Sequence, residues 1–568
     1  MSTQVYTALP GHRWGIRLNR IAPRLWILAF IGGIGYLTVY PLIRLQYLAL
    51  EHGGRSYHDA YTRAGEWKTI RYTLYLGVGS LAIALVIGTG LAWAATALPR
   101  RLRMLRVVPI LPIILPPLAA VLGWSFLLSP HPGYLNQLLR HLPWWSGFQG
   151  PFDVYTIPWI IIITGLALAS FVYLFVAAGL ENINQELIEA GYVSGSSRPA
   201  VFFRIVLPLL RPALVYGTGV ALLLGLGQFT APLLLGQNAG VSVLTTDMYL
   251  QTEQIPPQYG LAAAIGSPLL VFGVLILFAN RILLGNHSRF VTHGGKGGFK
   301  PAGRGSWSGA TLVVLYGLFT TVLPIAALVI VSLGKFWSGT VDPSKFTLAT
   351  WRTVLSASGV QPAIWNSIKL SVIAALITLP IAYISALFLR KQREHRIVGP
   401  ILDFVIAMPL SIPAVIFGVG FLLTYTNKPF VLYGTTWVIV LVYITLMIPF
   451  ATRMLSSGLA ALGDSYMEAA RVSGAGVLRT HTSILLPLLR PTIGGASALM
   501  FILLSHEFAA SLLVRAPTVN VMGTILYDFY QNGGYPLVAA ISLIMVGVTT
   551  AGVLVALALG GSETFKKL

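Results

Sequence analysis

The chain has 568 residues, 55% of them hydrophobic and only 10% charged, with a formal net charge of +21. Soluble proteins carry about 25% charged residues, so this composition excludes an ordinary soluble domain and points to a chain that lives in lipid. There is no cysteine, which excludes a disulfide framework and a thiolate metal site.

A hydrocarbon core of about 30 Å needs about 20 helical residues. In chain order, residues 1–24 carry Arg13, Arg17, Arg20 and Arg24 and read as a cytosolic N-terminal segment. The apolar run that follows is of full spanning length, so it reads as an uncleaved span and not as a signal peptide. Spans are expected near 25–49, 74–97, 106–129, 157–180, 213–236 and 259–284, making a first six-span domain over 25–284. A Gly-rich basic stretch over 285–308 reads as a cytosolic linker. Spans near 309–334, 366–389, 398–424, 432–455, 492–515 and 536–560 make a second domain over 309–560, with a cytosolic tail at 561–568. Backbone groups in lipid must be satisfied within the segment, so these runs are helices. They lack the two-residue alternation of a β-barrel. The expected fold is therefore an all-α integral membrane protein of two tandem six-helix bundles, about twelve spans.

The charge follows the same plan. With the N-terminus inside, 26 of the 38 Lys and Arg fall on the cytosolic side, including "PRRLRMLR" (99–106) and "RKQREHR" (390–396). This is the bias of an inner-membrane protein with both termini in the cytosol. The basic residues read as topology and lipid-headgroup signals, not as a nucleic-acid surface.

Two polar stretches interrupt the apolar pattern. "EAGYVSGSSRPAVFFRIVLPLLRP" (189–212) and "EAARVSGAGVLRTHTSILLPLLRP" (468–491) align without a gap at an offset of 279, with 12 of 24 positions identical. Both fall between a fourth and a fifth span. Each reads as a short helix, a glycine turn at Gly195 or Gly474, and a second helix stopped by Pro208 or Pro487: an elbow lying along the membrane. The third spans carry Pro116, Pro117 and Pro413 among others, which either kink a packed helix or open it toward a cavity.

The repeated stretch resembles the Glu-Ala-Ala loop of the permeases of ABC importers: Glu-Ala-Ala, three residues, Gly, nine residues, Ile-x-Leu-Pro. The second copy matches throughout, and the first has Gly191 in place of the second alanine. The resemblance implies the type I importer permease fold and ATPase-coupling roles for Glu189, Ala190, Gly191, Gly195 and Pro208, and for Glu468, Ala469, Ala470, Gly474 and Pro487. It implies cytosolic ABC ATPase subunits as partners, as a homodimer, and an extracytoplasmic substrate-binding protein. The chain has no Gly-x-x-x-x-Gly-Lys-Ser/Thr phosphate loop, so no cofactor is expected in it; ATP and Mg belong to the partner ATPase.

The stretches 243–265 and 521–543 look like those of fused ferric-iron permeases, which implies ferric iron as cargo. Thiamine, polyamine, phosphonate and sulfate permeases share related motifs and stay open as alternatives. The 279-residue offset sets Gln228 against Glu507, with His506 beside it. A carboxylate deep in a span faces either a wet path or a packing partner. No catalytic residue and no metal-ligand cluster is visible. A twelve-span ion-coupled transporter is the other reading, and it leaves the doubled elbow unexplained.

Overall fold

The structure, a computed structural model, describes residues 26–143, 145–181, 183–284, 307–390 and 398–560. The expected N-terminal segment, the tail and all but the last two residues of the linker lie outside them.

Among the described residues every regular element is helical. The first half runs through α1 (Trp26–Thr38), α2 (Tyr40–Thr62), α3 (Glu66–Thr96), α4 (Arg101–Ile114), α5 (Pro117–Leu128), α6 (Ile157–Glu181), α7 (Gln185–Val193), α8 (Pro199–Leu209), α9 (Arg211–Leu226), α10 (Leu244–Thr252) and α11 (Tyr259–Leu284). The second repeats the series as α12 (Trp307–Leu333), α13 (Val360–Arg390), α14 (Val398–Ser411), α15 (Ala414–Tyr425), α16 (Thr436–Leu462), α17 (Ser465–Val472), α18 (Val477–Leu488), α19 (Arg490–Ser505), α20 (Ala509–Val514), α21 (Met522–Gln531) and α22 (Tyr535–Gly560). Seven helices are long and apolar enough to cross a membrane, and five bent pairs bring the number to twelve when each pair is one span.

The bends fall where the chain cannot continue a helix. The third span of each half turns by 93° between α4 and α5 and by 107° between α14 and α15, at Pro116 and Pro413. Each straight second piece is 12 residues, about 18 Å at the α-helical rise and too short to cross alone. The fifth spans bend by 71° between α8 and α9 and by 69° between α18 and α19. Pro208 and Pro487, expected to stop the second elbow helix, are each followed by one more helical residue, Leu209 or Leu488, before it ends. A π-turn precedes each, Phe202–Val206 and His481–Leu485, and hands the next amide to a carbonyl five residues back: Leu207 to Phe202 and Leu486 to His481. One wide turn thus accommodates the ring, and the bend comes just after it.

The halves interlock. The first span of each half packs on its own sixth span and on the third span of the other half: α12 against α22 and α5, α2 against α11 and α15. Glycine sets this approach twice. A Cβ on Gly123 of α5 would lie 2.6 Å from Pro324 Cβ and 2.7 Å from its carbonyl oxygen. A Cβ on Gly420 of α15 would lie 2.9 Å from the carbonyl oxygen of Pro41. Small residues let helix backbones meet closely where lipid offers no hydrophobic drive.

Gly123→Ala and Gly420→Ala are each expected to destabilise the purified chain by about 1–3 kcal/mol through overpacking against backbone. Thermal unfolding in detergent reads this as a lowered midpoint. Gly547→Ala, whose Cβ would meet nothing within 4 Å, is expected not to lower it.

Candidate coupling and translocation site

Each elbow opens with a short helix, α7 or α17. Asn184 caps α7 by accepting from Glu186 N at 3.0 Å. Both helices close with the same pair of bonds. Gly195 N donates to Tyr192 O at 3.0 Å and Ser196 N to Gly191 O at 3.1 Å; Gly474 N donates to Arg471 O at 3.0 Å and Ala475 N to Ala470 O at 2.9 Å. This closure puts its glycine in the left-handed region, and φ is +83° at Gly195 and +74° at Gly474.

The helix faces then sort the motif residues. Glu189, Ala190, Glu468 and Ala469 are exposed, whereas Gly191 and Ala470 are buried. Gly191 packs on the second elbow helix, where a Cβ would meet Ile205 Cδ1 at 2.6 Å. Two matched positions expose apolar side chains: Val193 and Val472 are 89% and 90% exposed. Leu187 and Tyr466, also at equivalent places, are exposed as well. The second elbow is tied to the bundle by an Arg390–Asp464 ion pair, by Arg390 Nη2 donating to Gly463 O at 2.6 Å, and by a 2.8 Å bond between Tyr383 Oη and His481 Nδ1. Each elbow joins a fourth span to a fifth, and six crossings separate them, so both lie at one end of the bundle.

The fifth spans stop at Gly227–Phe229 and at His506–Phe508 before a further helical turn. Phe229 and Phe508 meet there across the halves, ring centroids 5.7 Å apart. Tyr249 of α10 and Tyr527 of α21 complete a quartet. Each lies beside the phenylalanine of its own half, at 5.6 and 5.5 Å, and the two tyrosines are 6.5 Å apart. All four side chains are buried. Sequence reasoning passed over the quartet, although the 279-residue offset aligns Phe229 with Phe508 and a 278-residue offset aligns Tyr249 with Tyr527.

The residues singled out from the sequence lie next to the quartet, on the elbow side, and their side chains bond locally. Glu507 accepts from Ala510 N at 2.8 Å and from Ser511 N at 2.9 Å, and also binds Ser511 Oγ. Ser511 Oγ in turn meets Tyr443 Oη at 3.0 Å. Gln228 Oε1 accepts from Phe229 N at 3.2 Å, and its backbone carbonyl accepts from Thr245 Oγ1 at 2.6 Å. Both remain partly exposed. His506 is buried, and its Nδ1 has no partner among the described residues.

Beyond the quartet, at the end away from the elbows, lies a cavity of about 480 Å³ whose lining includes Glu253, Tyr259, Tyr433, Arg515, Asn520 and Asp528. Arg515 holds Asp528 by two bonds of 2.8 Å. With Glu253 the lining holds two acids against one arginine and is net negative.

The family of inner membrane components of binding-protein-dependent transport systems matches residues 80–285 and 378–561, and the chain belongs to it. It is a multi-pass inner-membrane permease subunit of an ABC importer, with two fused halves, and is a transport subunit and not an enzyme. Membership implies an ATPase and a substrate-binding protein as partners, and it excludes the ion-coupled reading. The chain is 25% identical over 541 residues to the ferric transport system permease protein FbpB of Actinobacillus pleuropneumoniae, covering 93% of this chain and 77% of that one. It is 23% identical over 389 residues to the Fe(3+)-transport system permease protein FbpB 2 of Haemophilus influenzae, covering 67% and 72%. A Salmonella typhimurium permease named for 2-aminoethylphosphonate transport is 27% identical over 251 residues, 44% of this chain and 92% of that one.

Because Glu507 caps the turn after the break, Glu507→Ala is expected to lower stability by about 0.5–2 kcal/mol, the usual cost of a lost cap. Glu507→Gln keeps an acceptor oxygen and is expected to lose less. Denaturation midpoints of the purified variants measure both.

Proposed function

We propose that this chain carries ferric iron across the inner membrane, taking it from an extracytoplasmic binding protein and driven by a homodimeric ATPase that grips the two elbows. ATP, with Mg, binds to the ATPase and not to this chain. Both termini are cytosolic, and the elbow end of the bundle faces the cytosol. The units are the six-span domains 25–284 and 309–560, joined by the linker 285–308.

The matched elbows carry this reading. Each presents an exposed Glu-Ala pair and a nearly fully exposed valine at equivalent positions on a rigid, glycine-closed turn. An apolar side chain so exposed on a polar loop gains by burial in a partner groove. Glu189 and Glu468 add a charge-assisted contact at its edge. Gly191, Gly195, Ala470 and Gly474 shape the turn, and Pro208 and Pro487 direct the second helix into the fifth span. Rocking of the halves then parts and rejoins the aromatic quartet, so that the path opens alternately to either side. Gln228, His506 and Glu507 lie on the cytosolic side of the quartet. There Glu507 and Gln228 hold the broken helices and present polar edges to the passing ion.

The net negative lining of the outer cavity suits a cation better than the phosphonate group of a zwitterionic aminophosphonate. Its carboxylates and phenols are also hard oxygen donors. The similarity of one half to a permease named for 2-aminoethylphosphonate transport favours the second reading.

Glu189→Ala together with Glu468→Ala is expected to weaken retention of the ATPase on the purified permease at least about tenfold, the order of two lost charge-assisted contacts, with unchanged membrane insertion. Pull-down titration measures it, and retention at normal affinity contradicts the coupling role. For the cargo, cells carrying the complete transporter are expected to accumulate radiolabelled ferric iron in a way that depends on this chain. Uptake of 2-aminoethylphosphonate in place of iron establishes the second reading.

A further inference from the structure

Away from the quartet, one group of titratable side chains has no counterpart in the other half. Glu66 opens α3 and is 2% exposed; Asp247 lies in α10 and is 4% exposed. The Glu66 carboxylate is within hydrogen-bonding reach of Asp247, yet neither of its oxygens has a donor among the described residues. Asp247 is better served. Gln251 Nε2 donates to its Oδ1 at 2.9 Å, and Arg63 Nη1 reaches both oxygens at 3.4 Å.

The frame around the pair is repeated, but the pair is not. Leu244 N donates to Thr73 Oγ1 at 2.9 Å in the first half, and Met522 N donates to Ser367 Oγ at 2.8 Å in the second. Carried along both helices, that register places Val360 where Glu66 stands and Ile525 where Asp247 stands. Both are buried. Two aliphatic side chains therefore suffice to pack this contact, and packing alone does not call for two acids.

Two desolvated carboxylates side by side do not both stay ionised. A buried oxygen without a donor is also costly. One proton between them removes the like-charge repulsion and joins the two carboxyl groups by an O–H···O bond, leaving a single Glu66 oxygen without a donor among the described residues. A metal ion fits less well. Among the described residues no group of three or more His, Asp or Glu is placed to hold one, and Asp247 already engages Arg63 and Gln251.

We propose that Glu66 and Asp247 form a proton-binding site, and that the single shared proton latches α10 to the start of α3. Tyr249 lies two residues beyond Asp247 on α10, on the face turned to the quartet, so the latch holds one quarter of that cluster in place. The proton is bound at low pH. As pH rises it leaves, the carboxylates repel, and the hold on α10 weakens. The other groups around the pair are Tyr61 of α2 and Arg63 just after it. Tyr61 Oη donates to Ala264 O of α11 at 3.1 Å, and the α11 stretch 262–265 is uncharged. Lys68 of α3 lies over the Tyr72 ring at 5.4 Å. The link to transport rests on the path reading, whereas the latch itself is tested without it.

The test is amide hydrogen exchange of the full chain in nanodiscs at about pH 5 and about pH 9, both above the ordinary carboxylate range so that an ordinary carboxylate keeps its charge between them, corrected for the intrinsic rate at each pH. Exchange over 244–252 is expected to rise by about tenfold or more at high pH, the factor for one pKa unit of linkage. The matching helix 522–531 is expected to stay constant. Glu66→Gln, whose amide donates to Asp247 at any pH, is expected to remove the difference. Glu66→Val with Asp247→Ile, which copies the second half, is expected to remove it too and serves if the glutamine variant does not fold. Equal protection of 244–252 at both pH values in the unaltered chain overturns the latch. So does a parallel loss in 522–531, or protection that follows added ferric or divalent ions instead of pH.

Discussion

A peptide group without a hydrogen-bond partner is too costly to leave in lipid, and this constraint governs where the chain can stop being helical. The breaks obey it. Those in the third spans sit beside Leu115 and Ile412, both 3% exposed, and those in the fifth spans sit at Phe229 and Phe508, both buried. These four lie against protein. Local side chains then supply what the broken helices lack. Glu507 takes two amides, and Thr246 and Thr524 each bond the backbone that begins α10 and α21. Irregular backbone is thus concentrated between the halves, where a path needs short, adjustable pieces.

The same interface explains why the halves act as a pair. Each first span lies between its own sixth span and the other half's third span, and the two glycine–proline approaches are placed equivalently. Motion of one half against the other is therefore constrained at two matched points. Force applied at an elbow enters a helix that is continuous, through a π-turn and a bend of about 70°, with the segment ending at the quartet.

Much of this was legible in the sequence, for identifiable reasons. Span number and elbow position follow from hydropathy and from a 24-residue repeat. The glycine turns were legible because only a residue that tolerates positive φ closes a helix in that way. The proline residues were visible in the third spans, but bends of 93° and 107° were not, because proline composition does not set an angle. Pro208 and Pro487 were read as stops and their helices do end one residue later, but the π-turn ahead of each was not legible. The aromatic quartet lay within the aligned stretches and was missed, because attention went to the polar residues beside it. Glu66 and Asp247 were beyond reach. They are 181 residues apart, and the register that pairs them with Val360 and Ile525 appears only once Thr73 and Ser367 are seen bonding equivalent amides.

Coupled movement of the elbows is the central claim, and a distance across them reads it most directly. The chain has no cysteine, so Phe203→Cys with Thr482→Cys, exposed and equivalent positions on the two second elbow helices, places one spin label on each elbow, outside the proposed docking contact and with no background from this chain. Pulsed electron paramagnetic resonance on the complete transporter then gives the separation with and without trapped ATP. Rocking halves require the distance distribution to shift as a whole between the two states. An unchanged distribution in a complex that still hydrolyses ATP would contradict the mechanism.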